Sequence, residues 1–181
     1  AMDQCASRVP GGLLAVSGLP ELRLERLRVD AGLALAIRNG GQNMILGGPA
    51  AALDKAEHMT LAAGAQCTRL RANVASHTPW MREAAESFAR TLAQVAFHTP
   101  QVMLFSNAAD RIWDAASARA ALAAQIARTV RWDECMENVM ARQVRCVLEM
   151  GPGHALARIW NQRYPMVPAR ACDGFRSAAA G

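Results

Sequence analysis

The residue in this sequence best suited to chemistry is His77, which lies in the segment 73–81, Asn-Val-Ala-Ser-His-Thr-Pro-Trp-Met. Pro79 is a typical first residue of a helix, so the histidine is expected in a loop just before a helix. A histidine in a loop can act as a general base if one group fixes its tautomer and a nucleophile lies within reach. It can equally be a surface or capping histidine. Taken alone, His77 leaves both interpretations open.

A nucleophile for His77 is not found in the sequence. Nucleophilic serines are often presented on a strand-to-helix turn by the motif Gly-x-Ser-x-Gly, which is absent from the 181 residues. Ser17 lacks the first glycine of that motif, and Ser106 has no glycine on either side. Ser76 is adjacent to His77, but adjacency alone does not make it the attacking group. If His77 is a base, its nucleophile is expected outside this sequence.

The other candidates for chemistry are weaker. Five cysteines and four histidines show neither a CxxC pair nor the spacing of a metal site. We therefore expect no metal and no disulfide framework, and we expect free, buried thiols in a reducing cytoplasm. Gly151-Pro152-Gly153 lies between a predicted strand and a predicted helix. It could cradle a phosphate at the helix N-terminus, although a tight turn is the plainer interpretation.

Composition excludes several classes of protein. Hydrophobic residues make up 52% of the chain and charged residues 19%, which is typical of a folded globular protein. No apolar run is long enough to span a bilayer and no export signal is visible, so we expect a cytoplasmic protein without a membrane partner. The net charge of +5 comes almost entirely from arginine. It indicates either an anionic partner, such as an acidic carrier protein or a nucleotide, or an arginine bias of a GC-rich genome. No basic stripe interleaved with aromatic residues supports nucleic-acid binding.

The first part of the chain shows the pattern of a small mixed domain. Apolar runs bounded by glycine predict strands, and amphipathic segments that begin at proline predict helices. The predicted elements are strand 12–17, helix 20–29, strand 33–37, strand 43–47, helix 49–63 and strand 67–70, with the hairpin turn at 38–42. This βαββαβ order is that of a ferredoxin-like fold. We assign it to residues 1–73.

The second part, residues 74–181, alternates helices with apolar strands. Its predicted elements are helix 79–94, strand 102–105, helices 115–127 and 131–143, strand 145–150, helix 154–163 and strand 166–170. Such an alternation is typical of a parallel sheet covered by helices on both faces. These strands are too few for a complete sheet, so part of it is expected to be missing. The predicted class of the whole chain is α/β.

Five motifs, in order along the chain, resemble one family. The segment 74–81 resembles the active-site histidine motif of malonyl-CoA:acyl carrier protein transacylases. The segment 41–47, Gly-Gln-Asn-Met-Ile-Leu-Gly, is similar to a hairpin in that family's ferredoxin-like subdomain. Val-Arg-Trp at 130–132 and Leu-Glu-Met-Gly-Pro-Gly at 148–153 match later landmarks of the family. The tail 168–176 resembles the branch that serves malonate decarboxylase, its epsilon subunit, a malonyltransferase.

The resemblance implies a fold and a reaction. Residues 74–181 would be the C-terminal part of an α/β-hydrolase-like acyltransferase core. A serine would take a malonyl group from malonyl-CoA and pass it to the thiol of a phosphopantetheine-type arm on an acyl carrier protein, here the carrier subunit of malonate decarboxylase. No cofactor would be bound, because the coenzyme A thioester is the substrate.

The resemblance also implies roles for four residues. His77 would be the base. Gln125 lies where the family supplies a backbone carbonyl that orients the histidine. Asn39 lies near a substrate-contacting asparagine of the small subdomain. Ser76 lies where related acyltransferases vary with the acyl group, and its small side chain leaves room for a larger one.

Three residues of the family pattern cannot be placed on this sequence: the catalytic serine, the arginine that pairs with the malonyl carboxylate and an oxyanion-hole residue. In the family all three precede the region that aligns with Ala1, and Arg8 and Arg38 do not replace the arginine by motif. The chain is thus expected to be the C-terminal part of a larger enzyme and to be inactive alone. Two alternatives stay open, a transacylase of fatty-acid synthesis and a non-catalytic module that docks a carrier protein.

Overall fold

The computed structural model describes residues 2–8, 10–40 and 43–174. By its internal contacts the chain divides into two units, residues 1–135 and 136–181. The helices and strands of the first unit are α1 (Met2–Arg8), β1 (Gly11–Ser17), α2 (Glu21–Ala31), β2 (Ala34–Arg38), β3 (Met44–Pro49), α3 (Ala50–Ala62), β4 (Gln66–Arg69), a 3-10 turn (Pro79–Met81), α4 (Arg82–Leu92), β5 (Leu104–Phe105), β6 (Arg111–Ile112), α5 (Ala115–Ala124) and β7 (Val130–Arg131). Helix α6 (Trp132–Met140) contains the division, and the second unit holds β8 (Val147–Glu149), α7 (Ala155–Arg163), β9 (Ala169–Ala171) and a 3-10 turn (Cys172–Gly174).

A five-stranded mixed sheet in the order β4-β1-β3-β2-β7 organises the first unit. Adjacent strands among the first four, β4, β1, β3 and β2, are antiparallel, and α2 and α3 complete the βαββαβ order predicted from the sequence. β7 pairs in parallel with β2 and was not predicted. The α/β class is confirmed. Two residues of the predicted hairpin turn, Gly41 and Gln42, lie outside the described residues.

Local sequence explains the ends of α2. Pro20 precedes the first turn, where its missing N–H costs nothing and its fixed φ favours the helix. Gly32 ends the helix in the left-handed conformation, with φ of +72°, and its N–H donates to the carbonyl of Val29. Only glycine adopts this conformation without a steric penalty. Between these ends, Leu24 and Leu27 are buried in the core.

The core of the first unit lies between the sheet and the two helices α2 and α3. Leu14 and Leu46, directly opposite each other on β1 and β3, are completely buried. Leu24 from α2 and Leu53 from α3 each retain 1% exposure and belong to the same cluster. Burial of a leucine side chain contributes about 1.5–3 kcal/mol, so these four residues account for much of what holds the sheet to its helices.

The predicted strand 102–105 is wrong in length, burial and pairing. Only Leu104 and Phe105 form a strand, and it pairs antiparallel with β6, which was not predicted. Val102, Met103 and Leu104 are exposed, at 77%, 48% and 42%. Their apolar character indicated that the segment can be buried, but among the described residues nothing covers it. No described helix is long and apolar enough to cross a membrane.

The second unit contains a parallel strand pair. β8 and β9 run parallel, as predicted, in a register that sets Leu148 opposite Arg170. Helix α7 connects them and buries Trp160, whose indole N–H donates to the carbonyl of Val167 at 2.8 Å. Asn161 bonds both the N–H and the carbonyl of one residue of β9, at 2.8 and 2.9 Å. The predicted subdomain boundary between residues 73 and 74 differs from this division of the chain and stays a prediction, as does the hydrolase-like core.

Candidate active site

The loop that carries His77 lies between β4 and the 3-10 turn that begins at Pro79. His77 has φ of +62°, in the left-handed region that few non-glycine residues adopt. Thr78, the next residue, is completely buried and donates its hydroxyl hydrogen to the carbonyl oxygen of Ala75. The segment 75–78 is therefore a tight turn with the imidazole at its tip.

The C-terminal end of α5 holds this histidine by two carbonyl groups. The last carbonyls of a helix have no partner within the helix and can accept hydrogen bonds from elsewhere. The backbone N–H of His77 donates to the carbonyl oxygen of Ile126, 2.9 Å away. The ring Nδ1 lies 2.6 Å from the carbonyl oxygen of Gln125. Backbone and side chain of His77 are thus both fixed to the same helix end.

These contacts determine the tautomer of the neutral imidazole. A carbonyl oxygen can only accept, so Nδ1 carries the proton and donates it to Gln125. Nε2 is then left with its lone pair, and no residue in the described part of the chain forms a hydrogen bond to it. A neutral imidazole in this state can take a proton at Nε2. The geometry is that of a histidine prepared to act as a base.

Helix α5 is itself held in place at its other end. Asp114 accepts a hydrogen bond from the backbone N–H of Ser117 at 2.7 Å, and the hydroxyl of Ser117 accepts one from the backbone N–H of Asp114 at 3.0 Å. This reciprocal pair is a capping box. The hydrogen bonds lower the pKa of the Asp114 carboxyl. The helix whose far end holds His77 therefore begins at a defined residue.

His77 lines a groove together with three arginines, Arg28, Arg128 and Arg131. Arg28 forms hydrogen bonds with the carboxylate of Glu25, which raise the pKa of Arg28 against the effect of burial. Arg131 pairs with two carboxylates of neighbouring elements. Arg128 is exposed and has no ion pair among the described residues. It is the cation in this groove that is most available to an anionic ligand.

Arg8 and Arg38, which do not match the family's carboxylate-binding arginine by motif, are engaged elsewhere. Arg8 bonds both carboxylate oxygens of Glu83, at 2.7 and 2.8 Å. Arg38 pairs with Asp133 at 2.7 Å and also with Glu134. Burial lowers the pKa of the Arg38 guanidinium, but the bonds and charges of these two carboxylates outweigh it and the net shift is upward. Neither arginine is free to bind a substrate carboxylate.

The two predicted substrate-binding residues lie in different places. Ser76 is half-buried beside His77 in the turn, and Asn39 is half-buried directly after the end of β2. Within the described ranges neither side chain forms a hydrogen bond with His77. Among the described residues the His77 ring is therefore hydrogen-bonded to the Gln125 carbonyl and to neither of these two side chains. The functions of all four residues stay predictions.

The turn Gly151-Pro152-Gly153 is a structural turn with no open phosphate cradle. Gly153 has φ of +84°, which the turn requires. Two N–H groups in the first turn of α7, those of Leu156 and Ala157, donate to the carboxylate of Glu149 at 3.2 and 2.8 Å. The position where a phosphate would bind at the helix N-terminus is occupied by this carboxylate.

The cysteines differ from the prediction of buried thiols. All five are free, but only Cys5 is buried, and Cys146 is exposed. The spacing of apolar residues around Cys146 indicated a strand, whereas β8 begins one residue later. In the described part of the chain no group of three or more histidine, cysteine or acidic residues could hold a metal ion.

Four features of the site were missed from the sequence. The Ile126 carbonyl has no sequence signal, because every residue carries a carbonyl group, and a histidine in a loop does not by itself indicate a left-handed backbone. The burial of Thr78 likewise could not be read from a polar residue in a loop. Arg128 lies between Gln125 and the Val-Arg-Trp motif at 130–132, to which the resemblance gave meaning, but nothing in the sequence set Arg128 itself apart.

The chain is similar to acyl transferases both in sequence and in structure. A model of the acyl transferase domain matches residues 2–171. The chain is 30% identical over 176 residues to the malonyl CoA-acyl carrier protein transacylase of Mycolicibacterium smegmatis, which covers 94% of this chain and 60% of the relative. The crystal structure of MCAT from Mycobacterium tuberculosis superimposes with a TM-score of 0.88 at 30% identity, covering 94% of this chain and 56% of the other.

A second solved structure contains a partner. It is described as a type II PKS acyl-carrier protein in complex with its malonyl-transacylase, and it matches with a TM-score of 0.85 at 25% identity, over 93% of this chain and 58% of that one. The chain spans 52% of the length of the malonyl CoA-acyl carrier protein transacylase of Salmonella typhimurium and 60% of that of Mycolicibacterium smegmatis.

Proposed function

The chain belongs to the acyl transferase domain family, and from that membership we propose that it carries the histidine part of an enzyme that transfers malonyl groups from coenzyme A to an acyl carrier protein. The observation that carries the proposal is the bond between Nδ1 of His77 and the carbonyl oxygen of Gln125. It leaves Nε2 as the only basic position of the ring. Acyl transfer through a serine requires a base in this state.

In the proposed first half-reaction, Nε2 of His77 removes the proton of a serine hydroxyl as the oxygen attacks the malonyl thioester carbonyl. The tetrahedral intermediate collapses, the bond between carbon and sulfur breaks, and the imidazolium returns its proton to the departing coenzyme A thiolate. The product is a malonyl-serine ester and free coenzyme A. His77 is again neutral.

In the second half-reaction, the carrier's thiol attacks that ester. His77 removes the thiol proton, the serine oxygen leaves, and the imidazolium protonates it. The malonyl group is then a thioester of the carrier, and the serine and His77 are as they began. One base serves both half-reactions, because in each of them Nε2 takes up one proton and then releases it.

The position of His77 at the end of α5 favours this cycle. The C-terminal end of a helix carries partial negative charge from its unpaired carbonyls, which stabilises a cation close to it by about 0.3–1 kcal/mol. The imidazolium that forms in each half-reaction is placed against the carbonyls of Gln125 and Ile126. Both interactions are already present before the proton arrives. No reorganisation of the loop is needed as the charge develops.

The nucleophilic serine is proposed to lie outside these 181 residues. No Gly-x-Ser-x-Gly motif is present in the sequence, and the matched relatives are considerably longer than this chain. The exposed apolar residues Val102, Met103 and Leu104 support this proposal, because contiguous exposed apolar surface is typical of a contact with further polypeptide. On this proposal the 181 residues alone form no acyl-enzyme.

The groove beside His77 fits the anionic part of both substrates. Coenzyme A and a phosphopantetheine arm each carry phosphate close to the pantetheine chain that bears the thiol. Arg128 lies in the groove, exposed and without an ion pair within the described residues. A guanidinium binds phosphate oxygens through several N–H donors at once. We assign Arg128 to this contact.

Two carriers are candidates for the second substrate. The C-terminal motif of the sequence resembles the malonate decarboxylase branch, which favours the carrier subunit of a cytoplasmic malonate decarboxylase. The relatives reported above are transacylases named for acyl carrier protein, which fits fatty-acid synthesis equally well. The two differ in the carrier and not in the chemistry at His77.

The experiment that tests the function uses the native protein that contains this chain, labelled malonyl-CoA and the two carriers separately. Label on the thiol of one carrier is the expected result, and the preferred carrier identifies the pathway. A protein that binds a carrier but transfers no label, with binding unchanged in His77→Ala, would instead be a docking module. That outcome would overturn the proposed function.

A further inference from the structure

Thr78 contacts two parts of the site through the two branches of its side chain. Its hydroxyl donates to the carbonyl oxygen of Ala75, on the other side of His77 in the sequence. Its methyl group faces Gly47 on β3. A Cβ placed at Gly47 would lie 2.7 Å from the Thr78 methyl carbon, a distance that real Cβ atoms do not adopt. The threonine fills the space that the glycine leaves.

Gly47 is one of three glycines of the paired strands β1 and β3 that the loop around His77 approaches closely, and we call this set, Gly11, Gly47 and Gly48, the glycine platform. A Cβ at Gly48 would lie 3.2 Å from the ring of Trp80. One at Gly11 would lie 2.5 Å from the carbonyl oxygen of Gly48 and 3.4 Å from the Cβ of Ala75. The loop around His77 thus packs closely on backbone, through residues 75, 78 and 80.

The platform and α5 act on the same turn by different contacts. The carbonyls of Gln125 and Ile126 fix the ring and the backbone N–H of His77. The left-handed backbone of His77 is unfavourable for a residue with a Cβ, so it persists only where surrounding contacts determine it. Thr78 supplies such a contact through its hydroxyl, which closes the turn, while its methyl occupies the space beside Gly47.

We propose that Thr78 is a positioning residue for His77, which keeps Nδ1 in register with the Gln125 carbonyl and Nε2 directed at the reacting atoms. The proposal rests on the proposed function of His77 as the base. Thr78 itself touches no substrate in this account. Its effect is on the orientation of the imidazole, so removing its hydroxyl lowers kcat and leaves the binding of malonyl-CoA unchanged.

The test compares Thr78→Val with Thr60→Val in the native protein. Thr60 is the matched control, because it is also completely buried and its hydroxyl donates to the carbonyl of Ala56 at 2.7 Å, inside helix α3. Both substitutions remove a buried hydroxyl and keep the shape of the side chain. Thr78→Val is expected to lower kcat for malonyl transfer about 10- to 100-fold, as misplacing a reacting group by about 1 Å does. Thr60→Val is expected to leave kcat unchanged.

Nitrogen NMR of the His77 ring supplies a readout that does not depend on activity. In the wild type and in Thr60→Val, the ring is expected as the tautomer with the proton on Nδ1. In Thr78→Val we expect a mixture of tautomers, and Thr78→Ser, which keeps the hydroxyl, should restore the wild-type spectrum and rate. An unchanged tautomer and kcat in Thr78→Val would overturn the proposal, as would an equal loss of kcat in Thr60→Val.

A second pair of variants covers the case in which Thr78→Val does not fold. Gly47→Ala places a methyl group against that of Thr78 and is expected to lower kcat; the added methyl also lies 2.9 Å from the end of the Leu13 side chain, which can rotate away. Gly47→Ala combined with Thr78→Ser removes the collision with the Thr78 methyl and should recover most of kcat. Failure of the double variant to recover activity contradicts the positioning role. If the wild type shows the expected tautomer but transfers no malonyl group, the proposed function is wrong. The proposed positioning of the ring by Thr78 is not contradicted by that result.

Discussion

Nδ1 of His77 donates a hydrogen bond to the backbone carbonyl oxygen of Gln125, a residue 48 positions later in the sequence. The contact joins the loop before α4 to the end of α5, and both lie in the first unit of the chain. Because the acceptor is a main-chain atom, the orientation of the ring depends on the path of the helix. The identity of the side chain at position 125 is secondary.

The first prediction concerns Gln125. Gln125→Ala keeps the carbonyl, so acyl transfer by the native enzyme should stay within about threefold of wild type, in line with the ~0.5 kcal/mol typical of substitutions that remove no interaction. Steady-state kinetics with malonyl-CoA and carrier measures this directly. A loss as large as that of a His77 variant would mean that the amide side chain is the partner, which contradicts the geometry.

The second prediction concerns Arg128. Arg128→Glu should raise KM for the carrier and for malonyl-CoA about 3- to 10-fold and leave kcat unchanged, because a charge at the edge of an interface acts mainly on association. The effect should decline as salt is added. Arg90→Glu is the control, since Arg90 is exposed in the last turn of α4 and does not line the groove. Equal effects of the two variants would show that only net charge matters.

The third prediction concerns the core of the first unit. Leu46 is completely buried on β3 and lies opposite Leu14 of β1 and Leu35 of β2. Leu46→Ala should reduce the free energy of unfolding by about 2–5 kcal/mol, the cost of lost burial and of a cavity. Leu61→Ala, at a position with 59% exposure on α3, should cost less than ~0.5 kcal/mol. Denaturant unfolding measures both, and similar losses would contradict the described core.

The fourth prediction concerns thiol reactivity. Cys135 is half-buried, and this partial burial raises the pKa of its thiol, so at neutral pH less of it is in the reactive thiolate form than for an ordinary thiol. Cys146 is exposed. Brief treatment with iodoacetamide at pH 7 should therefore modify Cys146 before Cys135, and the rate at Cys135 should increase as pH rises. Mass spectrometry of peptides gives both rates, and faster reaction of Cys135 at pH 7 would contradict the described burial.

Much of the first unit could be predicted because its signals are local. Pro20 and Gly32 mark the ends of a helix by their own backbone preferences, and the short apolar runs at β1 and β3 are bounded by turn residues. His77 could be identified because Pro79 places it in a loop before a helix. These features are determined by residues that are close together in the sequence, so they can be predicted from it.

The remainder depends on contacts between distant residues. The exposed strand β5 was predicted as buried because its residues are apolar. Composition does not show whether another element covers the strand. β6 and β7 have two residues each, too few for any periodic pattern. The bonds of His77 to Gln125 and Ile126 involve carbonyl groups that every residue has. For Gln125 the resemblance to a family supplied the expectation, and no local pattern could have done so.

Whether His77 is the base is decided by the rate of malonyl transfer by His77→Ala in the native protein, measured beside His58→Ala. His58 is an exposed histidine on α3 and serves as the matched control. A positioned general base contributes about 10²–10⁴-fold, so His77→Ala should slow malonyl transfer by that factor while His58→Ala transfers at the wild-type rate. Wild-type transfer by His77→Ala would contradict the account.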